Sequence, residues 1–139
     1  MTYETIKMEI SSNPKYVSII RLTTSGIANK MGFCLEDIED LKVAISEACT
    51  NAIKHSLQDR FTIIYTMIEN GLTIEIIDDG KGYDKTPISE PDSDILKESG
   101  MGLFIIESLM DEVNIESEQG KGTTIKMTKY LGVDMQWRR

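Results

Sequence analysis

Ile76-Ile77-Asp78-Asp79-Gly80-Lys81-Gly82-Tyr83-Asp84 is a run of β-formers that ends abruptly in acids and glycines. A strand therefore finishes near Asp78, and the backbone turns where side chains would obstruct a ligand. The spacing Asp78-x-Gly80-x-Gly82 puts a short acid at the end of a buried strand, where it can accept a hydrogen bond from an exocyclic amine. The glycines leave room for a flat base against the main chain. Asp-Gly pairs also mark ordinary turns, so the stretch by itself leaves a purine pocket and a plain hairpin closure both open.

The strand that delivers Asp78 has its partner just upstream. Phe61 to Ile68 is β-rich, Asn70-Gly71 is the strongest short hairpin signal in the chain, and Leu72 to Ile77 returns. Further upstream, Leu35 to about His55 reads as a long helix, with Glu36, Asp37, Glu39 and Asp40 gathered where the helix dipole favours acids. Ile38, Leu41, Val43, Ala44, Ile45, Ala48, Ala52 and Ile53 cover enough of its circumference for burial against a sheet. Glu47 and Asn51 lie four residues apart on one face of that helix, a carboxylate and a carboxamide for a base and a metal. Downstream, Gly100-Met101-Gly102-Leu103 opens an apolar-periodic segment through Phe104, Ile106, Leu109 and Met110. This predicts a helix over roughly 102–110 with glycines at its mouth, its free N–H groups facing a phosphate.

The remaining segments complete a small α+β domain. Thr5 to Ile10 alternates apolar and polar residues, as a strand with one buried face does. Ser11, Ser12 and Asn13 offer helix-capping chemistry ahead of Pro14, and a first helix follows as far as Gly32. Thr23, Thr24, Ser25 and Gly26 weaken its middle. Val113 to Glu118 and Thr123 to Tyr130 read as a second hairpin around Gly120-Lys121-Gly122, and residues 83–99 as a loop over or beside the pocket. The tail, with Trp137, Arg138 and Arg139, reads as frayed. The expected architecture is a two-layer α/β sandwich, helices on one face of a mixed, mostly antiparallel sheet, formed by residues 1–139 as a single domain.

With 23 acids against 15 bases the net charge is −8, which argues against a nucleic-acid surface and allows a basic protein partner. The amino terminus has no signal-peptide pattern, and no run has the apolar length of a membrane span, so a cytoplasmic location is expected. Cys34 and Cys49 match no paired metal spacing and read as reduced thiols.

Taken in order and at these distances, the Glu47–Asn51, Asp78–Gly82 and Gly100–Leu103 stretches resemble the N, G1 and G2 boxes of the GHKL ATPase superfamily. Gly120-Lys121-Gly122-Thr123, ahead of the last strand, resembles its G3 box. Within that superfamily the chain is similar to the RsbW and SpoIIAB type, small serine kinases that double as bacterial anti-sigma factors. The similarity extends through Arg21-Leu22-Thr23, Asp40 to Ser56, Met110 to Val113 and Met127 to Leu131.

The resemblance implies ATP and Mg²⁺ as cofactors and assigns roles by position. Glu47 becomes the general base for an attacking hydroxyl, and Asn51 the ligand of the Mg²⁺ that bridges the phosphates. Asp78 would bond the adenine amine, Gly80 and Gly82 give base and lid their room, and Thr123 supports adenine through its hydroxyl or a water. Gly100, Met101, Gly102 and Leu103 would offer amides to the phosphates, and residues 83–99 would form the ATP lid. Lys54 falls where some relatives carry a phosphate-contacting cation, and Arg21 in a surface that meets both protein partners. Those partners would be a sigma factor and an anti-anti-sigma factor of the STAS type, with the kinase a homodimer. Each residue also has a plainer reading: a surface acid, a local cap, a strand threonine, a solvated lysine or arginine. His55 continues the Glu47–Asn51 stripe and reads more simply as a packing histidine. For the transferred phosphate, spacing does not choose among Lys54, Lys81, Lys85 and Lys97.

The alternative to a kinase is a non-catalytic, nucleotide-dependent sigma-binding module, which has no need of Glu47. A histidine-kinase catalytic domain is a third reading and would call for an adjoining acceptor domain.

Overall fold

In a computed structural model of the chain, which describes residues 3–56, 58–79, 93–118 and 120–132 (of 93–99 the backbone alone), five strands form one sheet. They are β1 (Glu4–Ser11), β2 (Arg60–Ile68), β3 (Gly71–Asp78), β4 (Glu112–Glu118) and β5 (Gly122–Tyr130), in the order β1-β2-β3-β5-β4. Every pairing is antiparallel, so the mostly antiparallel sheet expected has no parallel pair among the described residues. The connection through α3 (Ser93–Leu109) returns β4 in the direction of β3, but β5 folds back between them. Two would-be parallel neighbours thereby each gain an antiparallel partner.

One face of the sheet carries the core. Ile63 and Tyr65 of β2, Leu72, Ile74 and Ile76 of β3, and Ile125 and Met127 of β5 are buried at alternating positions. Against them pack α1 (Val17–Met31), α2 (Leu35–His55) and α3, with α2 in contact with both of the other helices. Ala44, Ala48 and Ala52 recur every fourth residue on α2 and are buried, so this helix presents its smallest side chains to the core. The first strand is less covered than its alternation suggests: Ile6 is 39% exposed, and Met8 and Ile10 are only partly buried. As an edge strand, β1 pairs on one side alone.

Two polar side chains inside the core have specific partners. Thr24, in the stretch that weakens α1 on propensity, is fully buried. Its hydroxyl donates to the Ile20 carbonyl at 2.8 Å and accepts from the Tyr65 hydroxyl at 2.7 Å. Burial pushes the Tyr65 phenol up to about 12. At the other end of the core, Lys129 of β5 donates to the Leu109 carbonyl at the end of α3. The same ammonium lies 3.5 Å from Asp40 and 3.9 Å from Asp37, in the first turns of α2, with its side chain 11% exposed. A cation thus caps the C-terminus of one helix and balances the acids near the N-terminus of the next.

Lys129→Met, which keeps the length and removes the charge, is expected to cost about 2–4 kcal/mol, because it strands a carbonyl and two partly buried carboxylates. Urea unfolding with an unchanged slope is the check. A loss below about 0.5 kcal/mol would show that these contacts contribute little.

Candidate functional site

Glu47 and Asn51 occupy successive turns of α2, both half-buried. Gly102 is the residue of α3 that meets them: a Cβ placed there would stand 3.2 Å from Glu47 Oε2 and 4.0 Å from Asn51 Nδ2. The bare α-carbon therefore leaves a cradle beside the carboxylate that any side chain would fill. The register of the two helices follows from the Lys129 clasp. Leu109 and Asp40 meet at the Lys129 ammonium, and Glu47 lies two turns after Asp40 while Gly102 lies two turns before Leu109. The helices run antiparallel, and the clasp at one end sets the gap at the other.

The second predicted centre is at the end of the sheet. Asp78, the last residue of β3, pairs across the ladder with Thr123 of β5, which pairs in turn with Ser117 of β4. Asp78 and Thr123 are 6% and 7% exposed, and the Ser117 and Thr123 hydroxyls are 2.8 Å apart. A cavity of about 490 Å³ opens at these strand ends, lined in part by Asp78, Asp79, Glu116, Ser117, Gly122 and Thr123. The hairpin that brings Thr123 here ends in Gly122 at φ +88°, where a Cβ would lie only 2.1 Å from the Asp78 carbonyl oxygen. Only glycine admits so close a crossing of two backbones.

Two expectations change. The helix carrying Gly100, Met101, Gly102 and Leu103 begins at Ser93, so these residues lie well inside it and their N–H groups belong to its internal ladder. They are not at its mouth. Ser93 and Asp94 supply first-turn chemistry, and Leu96, Lys97 and Glu98 are strong helix formers. Those signals outweigh the glycines taken as the start. By the same observation, residues 93–99 are helical and not part of the loop expected over 83–99. Gly80, Gly82, Lys81 and Lys85, like the tail beyond residue 132, lie outside the described residues.

Lys54 is exposed in the last turn of α2 and His55 closes that helix half-buried. Arg21 is exposed on α1, flanked by Ile19 and Leu22, themselves 47% and 73% exposed. Cys49 is fully buried, and that burial raises its thiol far above the ordinary range, which keeps it an inert core group. Ser117 is the residue that the reading of the sequence missed. The hairpin register around Gly120 would have placed it opposite Thr123.

Among the described residues no group of three or more His, Cys, Asp or Glu side chains could hold a metal ion. A Mg²⁺ ion held by Asn51 would draw its other oxygens from phosphates and water, as this small hard ion commonly does. No helix among the described residues is long and apolar enough to cross a membrane.

Known proteins similar to this chain identify its family. The model of the histidine kinase-like ATPase domain family matches residues 10–129. The chain is 41% identical over 140 residues to the serine-protein kinase RsbW of Bacillus velezensis, covering 91% of this chain and 85% of that protein. It is also 41% identical over 141 residues to the RsbW of Bacillus thuringiensis, covering 93% and 86%. Among solved structures, the RsbU and RsbW domains of a Mycobacterium tuberculosis protein superpose with a TM-score of 0.69 at 20% identity, over 92% of this chain and 32% of that one. The histidine kinase domain of a blue-light activated kinase from Erythrobacter litoralis gives 0.59 at 20% identity, over 91% and 64%. At that identity the structures speak for the α+β fold alone.

Proposed function

Because the chain belongs to the histidine kinase-like ATPase family, among the serine-protein kinases named RsbW, we propose that it passes the γ-phosphoryl group of ATP to a serine of a protein partner. That partner is an anti-anti-sigma factor of the STAS type. In the other state of the switch the same kinase, a cytoplasmic homodimer, binds and sequesters a sigma factor, with the exposed Arg21 in the surface that both partners use.

The observation that carries this reading is the meeting of Glu47, Asn51 and Gly102. ATP supplies the transferable phosphoryl group, and such transfer asks for positioning and charge balance more than covalent chemistry. Glu47 takes the proton of the incoming serine hydroxyl. Asn51 lends its carboxamide oxygen to Mg²⁺, Asp78 accepts from the adenine amine beside Thr123, and Gly102 keeps the space next to Glu47 clear of a side chain. Glu47 also separates a kinase from a pure binding module, since holding a nucleotide needs no base.

The continuous helix from Ser93 adds a step. For the amides of Gly100 to Leu103 to reach phosphate, the turns ahead of Gly102 unwind. Gly100, inside those turns, weakens the helix by about 1 kcal/mol relative to alanine, which lowers the cost of unwinding. Lys54, at the end of α2, is the cation that we assign to the phosphates.

The test is incubation of the purified protein with γ-labelled ATP, Mg²⁺ and STAS-type candidates. Label on a partner serine is the expected result. ATP binding without transfer to any candidate would leave a sequestering module, and no ATP binding would sink the assignment of Asp78.

A further inference from the structure

Asp78, Thr123 and Ser117 form one polar row across three strands on the helix-facing side of the sheet, at the end where the cavity opens. Their positions are tightly fixed. The crossing of Gly122 over the Asp78 carbonyl locks β5 to β3 at this point, and the β4–β5 ladder runs to its last pair, Glu118 with Gly122.

Within the row, the direction of the hydroxyl protons decides what a ligand meets. The Ser117 hydroxyl donates to the Gly122 carbonyl at 3.5 Å, a long contact, and lies 2.8 Å from the Thr123 hydroxyl. With the serine proton turned to that carbonyl, the short bond runs from Thr123 to Ser117. Thr123 then shows the pocket only lone pairs. Asp78, across the ladder from Thr123, is a carboxylate and likewise an acceptor, whereas Glu116 and Glu118, on either side of Ser117, face the other side of the sheet. The wall's ammonium, Lys121, is engaged by Glu118 at 3.2 Å.

We propose that Ser117 is a specificity-determining residue: by holding the Thr123 proton it keeps the base-reading end of the pocket acceptor-only, which favours a 6-amino purine over a 6-oxo purine. This rests on the reading of Asp78 as the residue that meets the base. A 6-amino group donates to such a row. A 6-oxo group brings an acceptor against acceptors, and the penalty for leaving buried polar atoms unpaired is what makes such selection strong. Ser117 acts through Thr123 and is a positioning residue, not a catalytic one.

The experiment compares equilibrium binding of ATP and inosine triphosphate, the 6-oxo counterpart, to the full chain and to Ser117→Ala. Loss of the serine frees the Thr123 proton to donate to a 6-oxo group. The ATP preference is expected to fall about tenfold, mainly through tighter inosine triphosphate binding. Ser117→Thr, which keeps the hydroxyl, is expected to restore the preference. Ser117→Cys, a near-isosteric and weaker partner, is expected to fall between and serves if the alanine variant does not fold. An unchanged preference in folded Ser117→Ala or Ser117→Cys overturns the proposal. So does an equal loss of affinity for both nucleotides, which marks a merely structural serine. Asp78→Asn is measured alongside: if it leaves ATP affinity intact, the base-reading assignment itself is wrong and the proposal goes with it. If Asp78→Asn abolishes binding while Ser117→Ala changes nothing, only the role of Ser117 fails.

Discussion

Glu47→Gln is expected to slow phosphoryl transfer to serine by about 10²–10⁴-fold while changing ATP affinity by no more than about twofold. The substitution is nearly isosteric, so the side chain can still lie in the cradle left by Gly102, where the carboxylate oxygen stands 3.2 Å from the site of a Cβ. What it loses is the ability to accept a proton. Base catalysis acts on the transition state and not on the bound nucleotide, so the loss belongs in the rate of the chemical step. Single-turnover transfer from labelled ATP, measured beside equilibrium nucleotide binding, separates the two. A rate within about threefold of the parent would remove Glu47 from the base role. A matching fall in affinity would make it a binding residue instead.

The parts of this fold that the sequence made legible are those set by local pattern. The β2–β3 hairpin shows in Asn70-Gly71 and flanking β-formers, and α2 in its acidic first turns and its run of apolar positions. The nearness of Glu47 to Asn51 needs only the pitch of one helix. Features that depend on how elements meet were hidden. That β3 and β4, which run in the same direction, do not pair follows from β5 inserting between them, which no window of sequence contains. Thr24 reads as a weak point in α1 until Tyr65, forty-one residues away, supplies its partner. The start of α3 is hidden because Gly100 and Gly102 read as punctuation, whereas the helix formers ahead of them carry the backbone through. Gly102 is needed for what it faces across the helix pair, and that reason is tertiary. The row Asp78, Thr123, Ser117 was two-thirds legible, and its third member required the hairpin register to be written out residue by residue.

Gly122→Ala is expected to destabilise the protein by about 3–5 kcal/mol, or to prevent folding, and Gly120→Ala by only about 1–2 kcal/mol. Both residues have positive φ, +84° for Gly120 and +88° for Gly122, so each substitution carries the cost of a left-handed backbone with a side chain. They differ in space. Around a Cβ at Gly120 nothing lies within 4 Å, whereas at Gly122 the Asp78 carbonyl oxygen would be 2.1 Å away and the Asp79 α-carbon 3.0 Å. Both obstacles are backbone and cannot rotate aside, so β5 must withdraw from the end of β3. Chemical denaturation of the pair isolates the steric part of the cost, since the conformational part is common to both. Equal losses would mean that the two strands separate freely at this point. The same displacement would part Thr123 from Asp78. In whatever Gly122→Ala protein folds, ATP affinity should therefore fall further than in Gly120→Ala, tying this close backbone crossing to the reading of the base.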